Sequence, residues 1–506
     1  VPPRSRQYFF KSINYVAIVL KFIALIKYLS VIFVGIMLLM EASEGLAGNV
    51  IYSCEHEASG SITFTDTKIP GQKCKARSSP ENNTRAISIE LNSIVRRKHG
   101  DVEELVNSVP SSRSTSARRN KTPVVKENTP SFINVTSNQF EAASPDVLKL
   151  FLRRWRSKGD PVRILHLGDS HVRNGFSGEA ARRELQLVRG NGGRGMLFPY
   201  ALARTYPQSD YGSTMEGRWQ SGSSVRPLQG MDFGITGFGA RTTSTPSAFT
   251  LSLKQPQPIG RKVVKVFFKS SMKDLRLTAS VGREHVTSSP SVAQEVFTVA
   301  EFVFYDQIES LRIDISSEPA AGYFELHGVN IEGPSSGVIY HSFGVDGATL
   351  VSLSAASHID NQLKVLQPDL IVLDFGSNEL ISGDNALSPQ SEATIVQLIR
   401  RLRSARPQAL IVFSTPQDMK LKQKNLTAVG AYAQFVRKIA FDNGCLFWDW
   451  HRVSGGAGSM RLWSSSGLAN RDQVHLLPKG YKLKGELLAN ALLNTVADSS
   501  SKRNAL

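Results

Sequence analysis

Ser170, Asp472 and His475 are the residues of this 506-residue chain whose types and surroundings best suit covalent chemistry. Ser170 closes an apolar run in Leu165-His166-Leu167-Gly168-Asp169-Ser170-His171, and Asp472 precedes His475 by three residues in Asp472-Gln473-Val474-His475-Leu476. A serine hydroxyl is a weak nucleophile until an adjacent imidazole takes its proton, and His475 is the candidate base. Asp472 can hold the imidazole tautomer and stabilise the imidazolium. The tetrahedral oxyanion that follows needs preorganised donors. The backbone N–H groups of Ser170 and Gly347 and the side-chain amide of Asn378 can supply three. Gly347 lies in Gly344-Val345-Asp346-Gly347-Ala348, where Gly344 competes for the same role, and Asn378 lies in Phe375-Gly376-Ser377-Asn378-Glu379. Such chemistry needs no cofactor. Cys-x-x-Cys and His-Glu-x-x-His spacings are both absent, so nothing in the sequence calls for a metal.

Taken singly, each block has a plainer meaning. Asp472-x-x-His475 suits a helix start, and Gly376-Ser377-Asn378 suits a turn. His171 is a rival base, but neighbours along an extended chain point to opposite sides. Asp169 and Glu379 are expected to order loops. Two other motif matches fail on context. Gly333-Pro334-Ser335-Ser336-Gly337 satisfies G-x-S-x-G, yet strand-like runs flank it on both sides, whereas a nucleophile elbow leads from strand into helix. Gly190-Asn191-Gly192-Gly193-Arg194-Gly195 satisfies G-x-G-x-x-G but follows a helical segment rather than a strand.

The elements that must position the blocks alternate between strand and helix. Val162–Leu167, Ile339–Phe343, Leu370–Phe375 and Ala409–Phe413 are short continuous apolar runs of the kind buried in parallel sheets. Helical spacing recurs between them, as in Ile395, Leu398, Ile399 and Leu402, and a last helix is expected from Pro478. The pattern predicts a doubly wound α/β domain, in which residues just beyond the carboxyl ends of the strands form the site. From 201 to 336 the helical signal vanishes and period-two alternation takes over, as in Leu311-Arg312-Ile313-Asp314-Ile315. This segment is expected to be an inserted β-sandwich, leaving 141–200 and 337–498 as the catalytic domain and 499–506 as a tail.

The N-terminal third reads differently. Tyr28–Met40 is a charge-free apolar run followed by Gly45-Leu46-Ala47, so residues 1–47 are expected to be a signal peptide or an uncleaved membrane anchor, and the chain an exported one. Residues 48–75 hold two β-prone runs around a glycine turn, with Cys54 and Cys74 placed to pair in an oxidising compartment. This stretch resembles a small N-terminal domain common in Gram-negative envelope proteins. Residues 76–140 are rich in Ser, Thr, Asn, Pro and Arg and read as a disordered basic linker, with one weak helix around Ile87, Leu91 and Ile94. The formal charge of +17 suits an anionic neighbourhood such as a cell envelope. With no zinc-finger spacing and no RRM-like aromatic motif, nucleic acid is not an expected partner. Cys445 is expected to be a buried thiol.

The four blocks around Ser170, Gly347, Asn378 and Asp472/His475, in that order, resemble the SGNH (GDSL) hydrolase family. The resemblance implies a flavodoxin-like parallel sheet with helices on both faces. It also implies a triad of Ser170, Asp472 and His475, with Gly347 and Asn378 in the oxyanion hole. Gly192-Gly193-Arg194-Gly195, the β-rich insertion, Gly458-Ser459-Met460-Arg461-Leu462-Trp463, Gly467-Leu468 and Gly480-Tyr481 are similar to the peptidoglycan O-acetylesterase branch, over roughly residues 145 to 497. Members remove the acetyl group from the 6-hydroxyl of muramic acid. The resemblance therefore implies a periplasmic or envelope esterase whose partner is an acetylated glycan. The same intermediate would also serve an O-acetyltransferase or an esterase of another exported polysaccharide. A non-catalytic glycan-binding envelope protein is the alternative of another class.

Overall fold

The computed structural model describes the backbone of residues 51–55, 62–65 and 73–77, then residues 129–290, 296–318, 321–333, 336–383, 385–422 and 424–501. The signal or anchor segment and the weak helix of the linker lie outside the described residues. The chain divides into two units, 1–117 and 118–506. In the first, Ile51–Glu55 pairs antiparallel with both Ile62–Thr65 and Lys73–Arg77. The third of these strands, Lys-Cys-Lys-Ala-Arg, alternates in polarity but has no β-branched or aromatic residue to announce it in the sequence. Its register sets Cys54 opposite Cys74. Opposed residues of antiparallel strands stand about 4.5–5.5 Å apart at Cα, a separation that a disulfide spans.

The second unit is built on a parallel sheet of β1 (Val162–Gly168), β2 (Val338–Gly344), β3 (Leu370–Asp374), β4 (Leu410–Ser414) and β5 (Leu446–Trp448), in the order β2-β1-β3-β4-β5. Glu141–Ala142 adds a short antiparallel edge against β5. The helices that bear on the site are α1 (Ser170–Arg173), α2 (Phe176–Arg189), α3 (Ser377–Ser382), α4 (Pro389–Ala405), α5 (Ala428–Asp442) and α6 (Pro478–Ser501). The strands are apolar throughout because both faces are covered, and alternate residues serve opposite faces. Ile164, Val372 and Val412 pack with Ala181 and Leu185 of α2 and with Leu488 and Leu492 of α6. Leu165, Leu373 and Phe413 pack with Leu398 and Leu402 of α4 and with Val436 of α5. This is a flavodoxin-like α/β fold.

The insertion between β1 and β2 is a two-sheet antiparallel sandwich. One sheet runs Glu284–Ser288, Arg276–Val281, Ile308–Ser316, Ser247–Gln257, Tyr211–Glu216, and the other Thr298–Phe304, Lys262–Ser270, Phe324–Glu332, Phe238–Thr242, Gln220–Ser223. The period-two alternation has its cause here: Leu311, Ile313 and Ile315 are buried and Arg312 and Asp314 are not.

Three boundaries differ from expectation. Gly195–Leu197 pairs with Phe324–Glu332, so the sandwich sheet begins before residue 201. Residues 129–140, expected to be linker, are packed. Ile133 and Phe140 are buried, and Asn138 accepts from Trp448 Nε1 at 3.0 Å and donates to the Leu487 carbonyl at 2.8 Å. Such isolated anchors leave no periodicity to read. Helix α6 continues into the expected tail as far as Ser501.

Beneath the carboxyl edge lies a buried ionic group. Lys484 of α6 stands 2.7 Å from Asp374 Oδ2 at the end of β3, and His166 Nε2 approaches the same oxygen at 3.3 Å. Burial pushes the Asp374 carboxyl up, but the Lys484 charge and the His166 contact outweigh it and hold it ionised. Removing one member leaves an unpaired buried charge, so Lys484→Met should destabilise this unit by about 3–5 kcal/mol. Lys484→Met with Asp374→Asn should recover most of that loss. Urea unfolding midpoints for the two variants check both statements.

Candidate active site

Strand β1 ends at Gly168, which registers with Gly344 of β2 and Asp374 of β3. A Cβ on Gly168 would meet Asp374 O at 2.6 Å, and one on Gly344 would meet Asp169 O at 2.2 Å. Glycine at both positions lets the chain leaving β1 pass close to its neighbours. Asp169 then caps α1, its Oδ1 accepting from His171 N–H at 2.8 Å, and Ser170 becomes the first helical residue.

Ser170 Oγ lies 2.9 Å from His475 Nε2, and His475 Nδ1 lies 2.8 Å from Asp472 Oδ2. A carboxylate only accepts, so Nδ1 carries the proton and Nε2 is left free to accept from the serine hydroxyl. The loop is tightly built. Asp472 Oδ1 accepts from Val474 and His475 N–H, each at 2.9 Å, and Asn470 N–H donates to His475 O at 2.8 Å. Gln473 takes the left-handed conformation at φ 56° to close the turn. Burial pushes the Asp472 carboxyl up, but its bonds from His475 and the two backbone donors prevail and bring it down to about 2. Burial lowers the His475 pKa, but the Asp472 hydrogen bond and charge, with the charges of Asp169 and Asp346, together outweigh it, and the net shift is upward.

The oxyanion candidates sit around this relay. Among the described residues the N–H groups of Ser170 and Gly347 make no hydrogen bond. Gly347 has φ 79° in the turn after β2, while Gly344 is the last residue of the strand and is closed in by the α1 backbone. Asn378 Nδ2 donates to Ala348 O at 2.9 Å and to Asp169 Oδ2 at 3.4 Å, so both amide hydrogens are engaged. Glu379 orders the neighbouring loops by accepting from Leu350 N–H at 2.9 Å and Gly376 N–H at 3.0 Å.

Ser170 Oγ is paired with His475, not with His171, whose ring forms a layer against His475. The two rings stack at 5.0 Å, 27° from parallel, and His171 Nδ1 lies 3.0 Å from Tyr481 Oη. Burial and the nearby His475 and Lys484 hold its pKa well below the usual range, so His475 rests on an uncharged ring. Burial pushes the Asp169 carboxyl up to about 7, against the bond it accepts from His171 N–H. Gln417 also belongs to this layer, donating to Val474 O at 2.9 Å and accepting from Trp450 Nε1 at 3.2 Å. Gln417 stands in no motif, and only the fold brings it here. Among the described residues no His/Cys/Asp/Glu group could hold a metal ion.

An open α/β sheet carrying this serine–histidine–aspartate arrangement at its carboxyl edge is the structure of a carboxylic ester hydrolase, similar to the SGNH (GDSL) enzymes. Residues 322–483 match the model of the GDSL-like lipase/acylhydrolase family. A solved structure described as a peptidoglycan O-acetylesterase is 25% identical to this chain, covering 72% of it and 98% of the other protein, with a TM-score of 0.60. An acetylxylan esterase from Geobacillus stearothermophilus is 20% identical over 32% of this chain and 74% of its own, with a TM-score of 0.25. A lipase/acylhydrolase from Enterococcus faecalis is 16% identical over 30% of this chain and 74% of its own, also at 0.25. No curated protein sequence matches the chain.

A histidine base works only when neutral, so activity should rise with pH through the His475 pKa. Because that pKa is raised above its ordinary 6.5, the acid limb of kcat on a simple acetyl ester should have its midpoint above 6.5. Asp472→Asn removes the charge that raises it. The limb should move to lower pH, and kcat should fall by about three to four orders of magnitude. A limb that stays in place in Asp472→Asn would separate His475 from the titration.

Proposed function

We propose that this chain is an exported serine esterase that removes O-acetyl groups from peptidoglycan, at the 6-hydroxyl of muramic acid. Ser170 is the nucleophile, His475 the general base and acid, and Asp472 the residue that orients His475. The observation that carries the proposal is the pair of contacts at 2.9 and 2.8 Å linking Ser170, His475 and Asp472. The likeness to a peptidoglycan O-acetylesterase over 72% of the chain supports this choice of substrate.

In the first half-reaction Ser170 Oγ attacks the acetyl carbonyl carbon while His475 Nε2 takes the hydroxyl proton. The oxyanion settles between the N–H groups of Ser170 and Gly347. Asn378 becomes the third donor by giving up its 3.4 Å contact to Asp169, the longer of its two. Collapse breaks the bond to the sugar oxygen, which leaves with the proton from His475, and acetyl-Ser170 remains. Water then attacks with His475 again as base, releasing acetate and restoring the serine.

An envelope location follows from this substrate, and the expected export segment and the Cys54–Cys74 pair suit an oxidising compartment. Among the described residues no helix is long and apolar enough to cross a membrane.

Purified protein should release acetate from O-acetylated wall material and none from base-treated wall. Ser170→Ala should abolish the release while leaving the unfolding free energy within about 0.5 kcal/mol of the parent, as for a substitution outside the core. Acetate release that survives in Ser170→Ala would remove Ser170 from the mechanism. Acetylated oligosaccharide as the main product would make the enzyme a transferase.

A further inference from the structure

A cleft of about 320 Å³ opens beside the candidate oxyanion turn, and the chemistry of its walls is specific. It is at the small end of ligand pockets, which run from about 300 to 1,000 Å³. Arg204 and Thr205 line one side, Ser223 and Arg226 of the sandwich another, and Val345 and Asp346 the floor. The floor leads directly into Gly347. On the sandwich side, a Cβ on Gly347 would lie 3.5 Å from Val225 Cγ1, so the wall that carries Arg226 abuts the turn itself. Asp346 is near enough to His475 for its charge to help raise the imidazole pKa.

Both arginines are exposed, and among the described residues neither guanidinium has a carboxylate or carbonyl partner. The loops that carry them are ordered. Arg204 N–H donates to Ala201 O at 3.1 Å, and Arg204 is held in the left-handed region at φ 51°, which arginine rarely adopts. Ser223 N–H and Arg226 O meet at 3.0 Å, and Arg226 N–H donates to Ser223 Oγ at 3.1 Å. The Arg204 turn is tied to the nucleophile helix. The buried Arg173 guanidinium of α1 lies 3.7 Å from the Tyr200 ring and 4.2 Å from the Tyr206 ring, and it donates to Thr205 Oγ1 at 3.3 Å. The cleft's carboxylate, Asp346, is already engaged by Tyr206 O–H, at 2.9 and 3.1 Å. Two unpaired guanidinium groups therefore face a cleft whose one acid has a partner. Planar guanidinium groups match carboxylates in geometry as well as charge.

We propose that this cleft is a subsite for an acidic sugar: Arg204 and Arg226 hold a carboxylate carried by the acetylated residue and so bring its ester to Ser170. The inference rests on the esterase reading above and narrows its substrate class. Muramic acid carries such a carboxylate on its lactyl ether wherever the stem peptide that amidates it has been removed, so the subsite selects peptide-free glycan. Neutral acetylated sugars carry none.

The test compares acetyl esters of muramic acid, glucuronic acid and glucose, with p-nitrophenyl acetate as a substrate too small to reach the cleft. The full chain is compared with Arg204→Gln/Arg226→Gln. The parent should favour the two acidic sugars. In the double variant KM for both acidic esters should rise by about tenfold or more, with kcat little changed and p-nitrophenyl acetate turnover unaffected. Added salt should raise KM on the acidic esters in the parent and much less in the variant. Equal kcat/KM on glucose and the acidic sugars in the parent would overturn the subsite, as would an equal loss on every substrate in the variant. If glucuronate and muramate esters turn over equally well, the subsite stands and the peptidoglycan assignment alone is weakened.

Discussion

The site depends on one constraint, the common level at which the parallel strands stop. Gly168, Gly344 and Asp374 are register partners, and Asp374 pairs in turn with Ser414. The chain leaving β1 therefore starts Ser170 at the height where β2 delivers Val345 to Gly347 and β3 delivers Phe375 to Asn378. Slipping any strand by one residue would exchange its two faces and move its loop along the strand axis. The glycines at 168 and 344 are part of this constraint, because any side chain there would collide with backbone in the neighbouring turn. The fourth participant, the Asp472–His475 loop, comes from no strand end. It is set by its own backbone bonds and by α6, which starts three residues later at Pro478 and packs along α2.

Charge is arranged around that geometry in layers. At the end of β3 the Asp374 carboxylate is buried but paired, with Lys484 and His166 against the same oxygen. Above it lie groups that burial makes neutral or nearly so, His171 and, near neutral pH, Asp169. The Asp472–His475 pair stands at the top, partly open to solvent. An imidazolium formed during catalysis thus faces one strong counter-charge at 2.8 Å and an uncharged ring on its stacked face. A second cation at the His171 position would depress the His475 pKa and oppose proton transfer from the serine. Keeping His171 buried avoids that, and this explains why the histidine adjacent to the serine is not the one that contacts it.

Much of the fold was legible in the sequence for the same physical reason that makes it stable. Strands buried on both faces must be continuously apolar, so the first four announced themselves, and sandwich strands buried on one face must alternate. Elements that lack such a demand were silent. Strand β5 is only three residues long, Leu446–Trp448, too short to show a pattern even though Asn443-Gly444 marks the turn before it, and Glu141–Ala142 is shorter still. Residues 129–140 are held by Ile133, Phe140 and the Asn138 side chain, spaced too irregularly to form a period. In the site, the serine, the aspartate and the histidine stand in recognisable short motifs. Gln417 and Tyr206 do not, because they lie in loops that meet the site only through contacts distant in the chain, Tyr206 with Asp346 and Gln417 with His171.

The place of the insertion follows from the weakness of the turn it touches. Between β2 and the helix Leu350–Ser354, residues 345–348 are held by few backbone bonds, and Gly347 is left-handed, so little within the turn fixes where its N–H points. The sandwich supplies the missing restraint. Gly237 approaches Val345 so closely that a Cβ would sit 2.4 Å from Val345 Cγ2, and Val225 stands over Gly347. Ser224 N–H donates to Gly237 O at 2.9 Å, joining the two bracing loops, and His358 N–H donates to Phe233 O at 3.0 Å, fixing the second loop to the catalytic domain. An oxyanion donor is effective only if it does not reorganise during the reaction. An insertion between β1 and β2 leaves the sheet where the nucleophile emerges and re-enters it at the strand whose end carries Gly347. It can therefore brace that donor and shape the adjoining cleft with the same loops, residues 224–226 and 233–237.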